Sequence, residues 1–313
     1  SETYEVSPAA NSRIQYDASG NPDPSLNDFT FLGQVNPVDE SRSAYAIFAE
    51  MEVPLMEELT MNVALRYEDL DTDSNLSPKI AFLYTATDNL SFRASASTSF
   101  REPSLSQFNA DVTNTVNLVD YQLNADGTPV LDASGKMIPN SSSIFIRQAT
   151  TGNSTLKAET ATNFNLGALW SSDKLQVRLD YWNIAYEDVI TIESAQAVLD
   201  ADPNGPSIVR QDPNDPTSTL AGISTDYFNA ANIDASGVDV EVNYGLEFGE
   251  STLDFTLGWS RYLSYEVPAN GEVYDAVGSF NFGSFVRSMP EDKANLSALW
   301  INDKHSFNAR VDY

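Results

Sequence analysis

The stretch NLSFRASASTSFREPSLSQF, residues 89–108, decides the fold. Apolar or small residues occupy every second position from Leu90 to Phe100, and Ser or Arg residues occupy the positions between them. Side chains of a β-strand point to opposite faces with a period of two, so the pattern predicts a strand with one apolar and one polar face. We expect the strand to end at Glu102 and Pro103, because proline cannot donate a hydrogen bond to a neighbouring strand.

The same two-faced pattern recurs along the chain in about eleven segments. Helical periodicity is absent over any comparable length. The pattern therefore predicts an all-β protein. The segments are centred on residues 45–53, 59–67, 80–84, 90–100, 163–170, 175–181, 238–244, 253–259, 296–300 and 307–313, with a weaker one near DFTFLGQV at residues 28–35.

Composition excludes several classes of protein. The 313 residues carry a formal charge of -28, from 45 acidic and 17 basic side chains, and this excludes nucleic acid as a partner because phosphates are bound by Lys and Arg. There is no cysteine, so disulfides and thiolate metal sites are excluded. A membrane-spanning helix needs a run of about 18 apolar residues, which does not occur, whereas a membrane β-barrel needs only alternating segments of about ten residues.

The connections between the predicted strands alternate in length. Short ones occur at PLMEE, TDN, SSDK, EFGES and INDK, and long ones are predicted at residues 68–78, 102–162, 187–236 and 263–292. Antiparallel up-and-down strands place all short turns at one end and all long loops at the other. This is the pattern of a transmembrane β-barrel with short periplasmic turns and long, irregular extracellular loops.

Aromatic residues and arginines follow the same division. Aromatic residues near both ends of the apolar faces are typical of membrane interfaces: Tyr84, Trp170 and Trp300 lie near short turns, and Tyr45, Tyr67 and Phe100 lie near long loops. A soluble β-sandwich or an adhesin-like surface domain would also show alternation, and this alternative stays open. The polar faces, which we expect to line a lumen, carry Arg66, Arg93, Arg101 and Arg178.

Four segments resemble one family. FRASASTSFREPSLSQF is similar to the FRAPSL strand and turn of TonB-dependent outer-membrane receptors, and LKAETATNFNLGALW resembles their LKPE segment. ANIDASGVDVEVNYGL resembles the strand that ends in GVEVEL, and YEDLDTDSNLSPKIAFLYTATDNLSFRAS resembles the region before the first motif. The chain departs from the family pattern at Glu102, where Ala is usual, and at Ala158, where Pro is usual.

The resemblance implies part of a 22-stranded barrel in the outer membrane of a Gram-negative bacterium. It implies energised import of a scarce nutrient (an iron chelate, a cobalamin or a glycan), with the TonB complex acting through a plug region. We expect residues 1–313 to form the central to C-terminal part of one β-barrel domain, with the plug and the terminal strands outside this chain. Lipid and an extracellular small-molecule or glycan ligand would be its other partners. The alternative is a non-transport cell-surface β-protein.

Candidate binding residues are aromatic or cationic side chains on the long loops. We expect the ligand to contact some of Tyr121, Phe145, Arg147, Tyr227 and Phe228. No cofactor and no enzymatic activity are expected, since the single histidine, His305, lies beside a short turn and no paired acid and base stand out.

The segment EDLDTDSN spaces three aspartates at alternate positions, Asp69, Asp71 and Asp73. This spacing is found at the start of calcium loops, but the glycine and the distal glutamate of an EF-hand are missing. A solvated acidic loop is the favoured interpretation, with weak calcium binding as the alternative. DASG at Asp17, Asp132 and Asp234 and NADG at Asn124 predict turns.

Overall fold

The computed structural model describes residues 2–8, 13–14, 34–70, 73–109, 111–140, 143–230, 232–269, 272–278 and 289–313. The chain divides into two compact units. Residues 44–101, 158–189 and 231–313 form the long-strand unit, and residues 1–43, 102–157 and 190–230 form the short-strand unit. Among the described residues, no helix combines the length and apolarity needed to cross a membrane.

The long-strand unit is an antiparallel sheet of eleven strands in the order β19-β18-β16-β15-β11-β10-β7-β6-β5-β4, with β17 also paired to β16. Ten of the eleven predicted strands lie in this sheet, and β17 is the one strand of the sheet that was not predicted. The strands are β4 (Tyr45–Met56), β5 (Leu59–Asp69), β6 (Ser74–Thr87), β7 (Leu90–Arg101), β10 (Glu159–Ser171), β11 (Leu175–Glu187), β15 (Ile233–Phe248), β16 (Ser251–Ala269), β17 (Glu272–Asp275), β18 (Asp292–Ile301) and β19 (Ser306–Asp312).

The register of this sheet places apolar residues side by side across many strands. One row runs from Phe92 through Ala168, Leu179 and Val240 to Trp259, each paired with the next. Side chains on such a row share one face of the sheet. Phe92 is 42% exposed and Leu179 is 47% exposed, so the described part of the protein leaves this face largely uncovered.

The connections of the long-strand sheet confirm the short turns and correct one long loop. Tight turns join β4 to β5, β6 to β7, β10 to β11, β15 to β16 and β18 to β19. The long loop predicted at residues 68–78 is wrong, because β5 continues to Asp69 and β6 already begins at Ser74, with which Asp69 pairs. Pro78, the last residue of the predicted loop, lies inside β6 opposite Leu65.

The short-strand unit contains the two longest connections, which the sequence predicted to be irregular. Together with β2 from the first part of the chain, they form a six-stranded sheet in the order β12-β14-β9-β8-β2, with β13 also paired to β14. A separate pair joins β1 to β3. The elements are β1 (Glu2–Val6), β2 (Gln34–Val35), β3 (Val38–Arg42), α1 (Leu105–Asn109), β8 (Val112–Leu118), β9 (Ile144–Thr151), β12 (Ile190–Ile192), α2 (Ala195–Ala201), β13 (Ile208–Arg210) and β14 (Leu220–Asn229).

The weak strand predicted at residues 28–35 falls mostly outside the described residues. Its described end, β2, pairs with β8 and so belongs to the six-stranded sheet, where the sequence pattern did not place it. In that sheet β9 and β14 run parallel, although every other pairing is antiparallel. The assignment of all 313 residues to one barrel domain stays a prediction.

The short-strand unit buries its own apolar residues. Leu199 of α2 is fully buried, and Leu220 and Ile223 of β14 are each only 2% exposed. The Oγ of Ser194 accepts a hydrogen bond from the amide of Ala197, which caps α2 at its first turn. Helix α2 therefore covers the sheet, and the core is formed by Leu118, Ile146, Ala195, Leu199, Leu220 and Ile223.

The turn predictions are confirmed at two of the repeated motifs and wrong at a third. The motifs at Asn124 and Asp132 form turns whose glycines have φ of 85° and 82°, values that glycine adopts without strain. Asp234 instead lies within β15, paired with Ala185 and Glu266. At Asp234 the sequence DASG is part of a strand because β11 and β16 pair with it on its two sides. Asp17 lies outside the described residues.

Candidate functional site

The four arginines predicted to line a lumen share the face of the long-strand sheet opposite Phe92. Each one forms an ion pair with a carboxylate on its own strand, on the neighbouring strand or, for Arg93, on the strand beyond it. On this face, positive charge is therefore matched locally by negative charge. The pairs are Arg66–Glu68, Arg93–Asp180, Arg101–Glu159 and Arg178–Glu241.

The pair of Arg93 and Asp180 reaches across an intervening strand. Gly167 of β10 is paired with Arg93 on one side and with Asp180 on the other. The Nε of Arg93 donates to Oδ1 of Asp180 at 2.9 Å, directly above Gly167. A Cβ at Gly167 would collide with that carboxylate oxygen, so this ion pair depends on a glycine between its partners.

A concavity of about 630 Å³ lies on the same polar face. Its lining includes Arg178, Asp239, Glu241 and Lys293 together with the Arg93 pair. The lining carries charges of both signs, and such a surface favours polar or zwitterionic groups over apolar ones.

A second, smaller concavity of about 330 Å³ lies on this face toward the ends of β10 and β11 that lead into the long connections. We call it the aromatic pocket. Arg101 and Glu159 stand at its edge, and the rest of its lining is aromatic or aliphatic. Its aromatic side chains are Trp182, Tyr186, Tyr262 and Tyr265.

A β-bulge shapes the aromatic pocket. Gly237 pairs with Tyr262, but the next pair joins Ser236 to Ser264, so one residue of β16 is extra at this point. A bulge of this kind re-aims the side chains that follow it. Here it brings Tyr262 and Tyr265, three positions apart, edge to face with ring centroids 6.4 Å apart.

The glycine at this bulge also seats the indole of the pocket. Trp182 of β11 is paired with Gly237, and a Cβ on Gly237 would collide with the indole ring and with the carbonyl oxygen of Arg261. The indole consequently lies over the backbone and meets the ring of Tyr262 edge to face, with centroids 5.5 Å apart.

The ion pair at the edge of the pocket joins two of the motifs that carry the family resemblance. Arg101 belongs to SFREPSL and Glu159 belongs to LKAET, and the two residues are directly paired between β7 and β10. The guanidinium binds both carboxylate oxygens, at 2.5 and 2.6 Å. This bidentate geometry closes the base of the connection that begins at Glu102.

The structure brings two of the five predicted ligand residues together. Phe145 and Arg147 lie two positions apart on β9, on the face opposite the buried Ile146, and Phe145 is 76% exposed. The guanidinium of Arg147 donates to Oγ1 of Thr113 at 3.3 Å, and partial burial lowers its pKa. An exposed ring and a partly buried cation therefore share this face of β9.

Tyr121 instead makes contacts inside the short-strand unit. Its hydroxyl donates to Oδ1 of Asp200 at 2.7 Å, and Gln196 donates to the same oxygen. This hydrogen bond to a carboxylate raises the pKa of Tyr121 to about 12. Its ring packs against the core.

Tyr227 and Phe228 lie five or more residues along β14 from Gly222, the residue that pairs with Arg147. The carbonyl of Tyr227 accepts a hydrogen bond from Asn153 at 2.8 Å, and burial raises the pKa of its hydroxyl. Phe228 is 37% exposed. These two residues are therefore not grouped with Phe145 and Arg147.

The sequence analysis missed a buried ion pair, Asp120–Arg210. The side chains are 4% and 5% exposed, and the two guanidinium nitrogens lie 2.7 and 3.0 Å from the carboxylate oxygens. Arg210 also donates to the carbonyls of Pro203 and Ser218, and Asn140 donates to Asp120. The partners lie 90 residues apart in sequence, and no local motif marks either of them.

The calcium alternative gains no support from geometry. Asp69 ends β5, and Oδ1 of Asp73 accepts a hydrogen bond from the amide of Ser74 at 2.8 Å. Asp71 lies outside the described residues. In the part of the chain that the structure describes, no three His, Cys, Asp or Glu side chains are grouped to hold a metal ion.

Comparison with known proteins identifies the family. The family model described as TonB dependent receptor-like, beta-barrel, matches residues 4–313. The chain belongs to the TonB-dependent receptor β-barrel family. This confirms the resemblance and the all-β barrel fold class, while the total of 22 strands stays a prediction.

Individual relatives extend the comparison. The ferric enterobactin receptor of Pseudomonas aeruginosa is 26% identical over 273 residues, which cover 85% of this chain and 31% of that protein. The siderophore receptor PirA from Acinetobacter baumannii superposes with a TM-score of 0.60 at 17% identity, over 96% of this chain and 36% of that one. A variant of the P. aeruginosa ferric enterobactin receptor PfeA gives 0.61 at 18%, over 97% and 36%. The chain thus spans about a third of the length of these relatives.

Proposed function

We propose that this TonB-dependent receptor chain is part of an outer-membrane protein of a Gram-negative bacterium that imports an iron chelate. The observation that carries the proposal is the family match over residues 4–313, together with the 26% identity to a ferric enterobactin receptor. In this proposal the inner-membrane TonB complex supplies energy through a plug region that belongs to the same receptor. We assign no enzymatic step to the chain.

The exposed apolar face supports a lipid environment. Leu166 is 51% exposed and Leu296 is 48% exposed, both on rows that pair apolar residues with one another. Exposed apolar area of this extent is unfavourable in water, whereas hydrocarbon would cover it at no cost. A soluble sandwich would require a second sheet over the same face.

An iron chelate is favoured over cobalamins and glycans because the curated relative is a ferric enterobactin receptor. We propose that Phe145 and Arg147 contribute to ligand capture, since they present an exposed ring and a cation on one face. A local cation can attract an anionic chelate even when the chain as a whole carries a charge of -28.

The test uses the full-length receptor expressed in cells that lack other iron-chelate receptors. We expect uptake of a radioactive ferric chelate that stops when the inner-membrane energy source is removed. Phe145→Ala combined with Arg147→Ala should weaken uptake, while Phe248→Ala, an exposed aromatic at a short turn, should not. Energy-independent uptake, or preference for cobalamin or a glycan, would refute the corresponding part of the proposal.

Orientation is tested separately with an impermeant thiol reagent on intact cells. We call the two long connections, residues 102–157 and 190–230, the excursions. Connections at the same end of the strands as the excursions should be labelled, and the tight turns should not. Labelling of both sets would refute the assignment of the two ends. Cysteines are introduced at Asp73, Asn114 and Asn214 for the first set, and at Asp88, Asp173 and Asp303 for the second.

A further inference from the structure

We propose that the aromatic pocket is a subsite for an uncharged aryl ring of the imported ligand, separate from the group that carries the metal and its charge. The inference rests on the proposed function, because it concerns how the imported molecule is recognised.

The pocket is prearranged for a ring. The indole of Trp182 is held over Gly237, and the ring of Tyr262 stands nearly perpendicular to it, at 88°. Tyr265 extends the arrangement at 84° to Tyr262. Rings that already contact each other edge to face offer a further ring both faces and edges without new ordering of side chains.

The size of the pocket fits one or two aromatic rings. Its volume is about 330 Å³. An apolar cavity of about 150 Å³ accommodates benzene, and sites for small molecules begin at about 300 Å³. A single ring therefore fits with its substituents, whereas a complete ferric chelate of several rings would leave most of its surface outside.

Charge at the pocket disfavours an anionic group. Among the described residues of its lining, the one cation is Arg101, and Glu159 binds two of its nitrogens, so the pair is neutral. An anion would have to compete with Glu159 for that guanidinium, and would meet the negative field of the chain. Neighbouring Lys293 lies 5.9 Å from the ring centre of Tyr262, where the π-face already attracts it.

The contrast with the larger concavity strengthens the assignment. That concavity is lined by paired charges such as Arg178–Glu241, which would have to lose water to admit an apolar ring. The rings of the aromatic pocket present apolar faces instead. The larger concavity also includes Trp259 and Tyr313, but charged side chains make up about half of its lining, whereas aromatic and aliphatic side chains dominate the lining of the smaller one. The smaller concavity is therefore the better site for an aryl group.

The experiment measures quenching of tryptophan fluorescence in the full-length receptor. Three probes are added: a ferric hydroxamate that also carries a separate, neutral phenyl group, the same compound without iron, and a ferric hydroxamate without aryl groups. We expect both aryl probes to quench Trp182, and Trp182→Phe to remove that part of the signal. The matched control is Trp170→Phe, an indole on the opposite, apolar face that should leave the response unchanged.

Affinity provides the second readout. Trp182→Ala should weaken binding of the aryl probes by roughly tenfold or more, as truncation of a buried aromatic contact usually does. Tyr186→Leu, which keeps the pocket apolar, should weaken it less. Thermal unfolding of each variant checks that the barrel is intact, and Tyr265→Phe provides a variant with minimal change of shape.

The outcomes separate this inference from the proposed function. Equal aryl affinity in the folded Trp182→Ala and wild-type receptors would overturn the subsite, even if energised iron uptake is normal. Equal quenching of Trp182 by the hydroxamate without aryl groups would overturn the aryl specificity. Loss of energised uptake for every iron chelate, with aryl quenching intact, would refute the proposed function and leave the subsite standing.

Discussion

The two units of the chain differ in whether their apolar side chains are covered by other parts of the protein. In the long-strand sheet Leu166 is 51% exposed and Phe92 is 42% exposed, whereas in the short-strand unit Leu199 of α2 is fully buried and Leu220 of β14 is 2% exposed. Both sheets alternate along their strands. Alternation therefore specifies which face is apolar, and what covers that face depends on other elements.

In the short-strand unit the covering comes from parts of the chain far apart in sequence. Gly222 of β14 pairs with Arg147 of β9, and α2 lies on the core that these strands share. Asn229 and Lys157 exchange two hydrogen bonds, at 2.9 and 3.0 Å, where both excursions return to the long strands. The two excursions therefore form one folded unit, so shortening either one should disrupt the other.

The largest expected effect breaks the buried pair that joins those excursions. Asp120→Ala leaves the guanidinium of Arg210 buried without its carboxylate, and this should destabilise the short-strand unit by about 3–5 kcal/mol. Limited proteolysis should then cut within residues 102–157 and 190–230 while the long strands stay protected. Thermal unfolding gives the size of the effect.

The matched control is Glu241→Ala, which removes the partner of Arg178 on the other sheet. That pair is 46% and 41% exposed, so its loss should cost less than about 1 kcal/mol. The double variant Asp120→Leu with Arg210→Met should recover part of the lost stability, because it leaves no unpaired charge. Equal costs for Asp120→Ala and Glu241→Ala would contradict the contrast between the two units.

The second effect tests what covers the long-strand sheet. Leu166→Arg should destabilise the receptor in lipid bilayers by about 2–4 kcal/mol if the residue lies near the midplane. The adjacent Asn165→Arg, on the polar face, should cost much less. Unfolding by urea in lipid vesicles measures both, and similar sensitivity at the two positions would favour a protein-covered face.

The success of sequence analysis differs between the two units for a physical reason. Each long strand pairs mainly with neighbours in chain order, so the alternation of residues 89–100 was enough to predict strand, faces and turn. Two local turn signals were overridden by strand pairing: Pro78 pairs with Leu65 of β5, and Asp234 pairs with strands on both sides. Short strands carry little periodicity, and their pairing depends on contacts that no local pattern encodes.

The functional residues divide in the same way. Arg66, Arg93, Arg101 and Arg178 were placed on the polar face by alternation alone, and the structure puts all four there. The aromatic pocket was missed, because it depends on a bulge opposite Gly237 that shifts the face of Tyr265. The buried Asp120–Arg210 pair was missed because its partners meet only after both excursions fold.

A smaller effect is expected from pH. The pKa of Tyr121 is raised from 10.0 to about 12, so folding favours the protonated hydroxyl. The stability that this provides is fully present below pH 10, and it is lost as the pH rises from 10 toward 12. Tyr121→Phe should cost roughly 1 kcal/mol near neutral pH and should remove this part of the alkaline loss. An unchanged alkaline profile in that variant would assign the loss to other groups.

The smallest effect concerns the chain where one unit passes to the other. Asp188 lies between β11 and β12 with φ of 56°, a left-handed conformation that costs most residues energy and glycine none. Asp188→Gly should therefore change stability by only a few tenths of a kcal/mol, and Asp188→Val should cost about 1 kcal/mol, since a β-branched side chain is least compatible with this backbone. Calorimetry shows which of the two units is destabilised by Asp188→Val. If the two units unfold in separate transitions, Asp188→Val should lower the transition of the short-strand unit more, because β12 contributes only three residues and adds a single pairing, with β14, to that sheet. An equal shift of both transitions would mean that the two units unfold together. The units would then differ in how their apolar side chains are covered, and not in their stability.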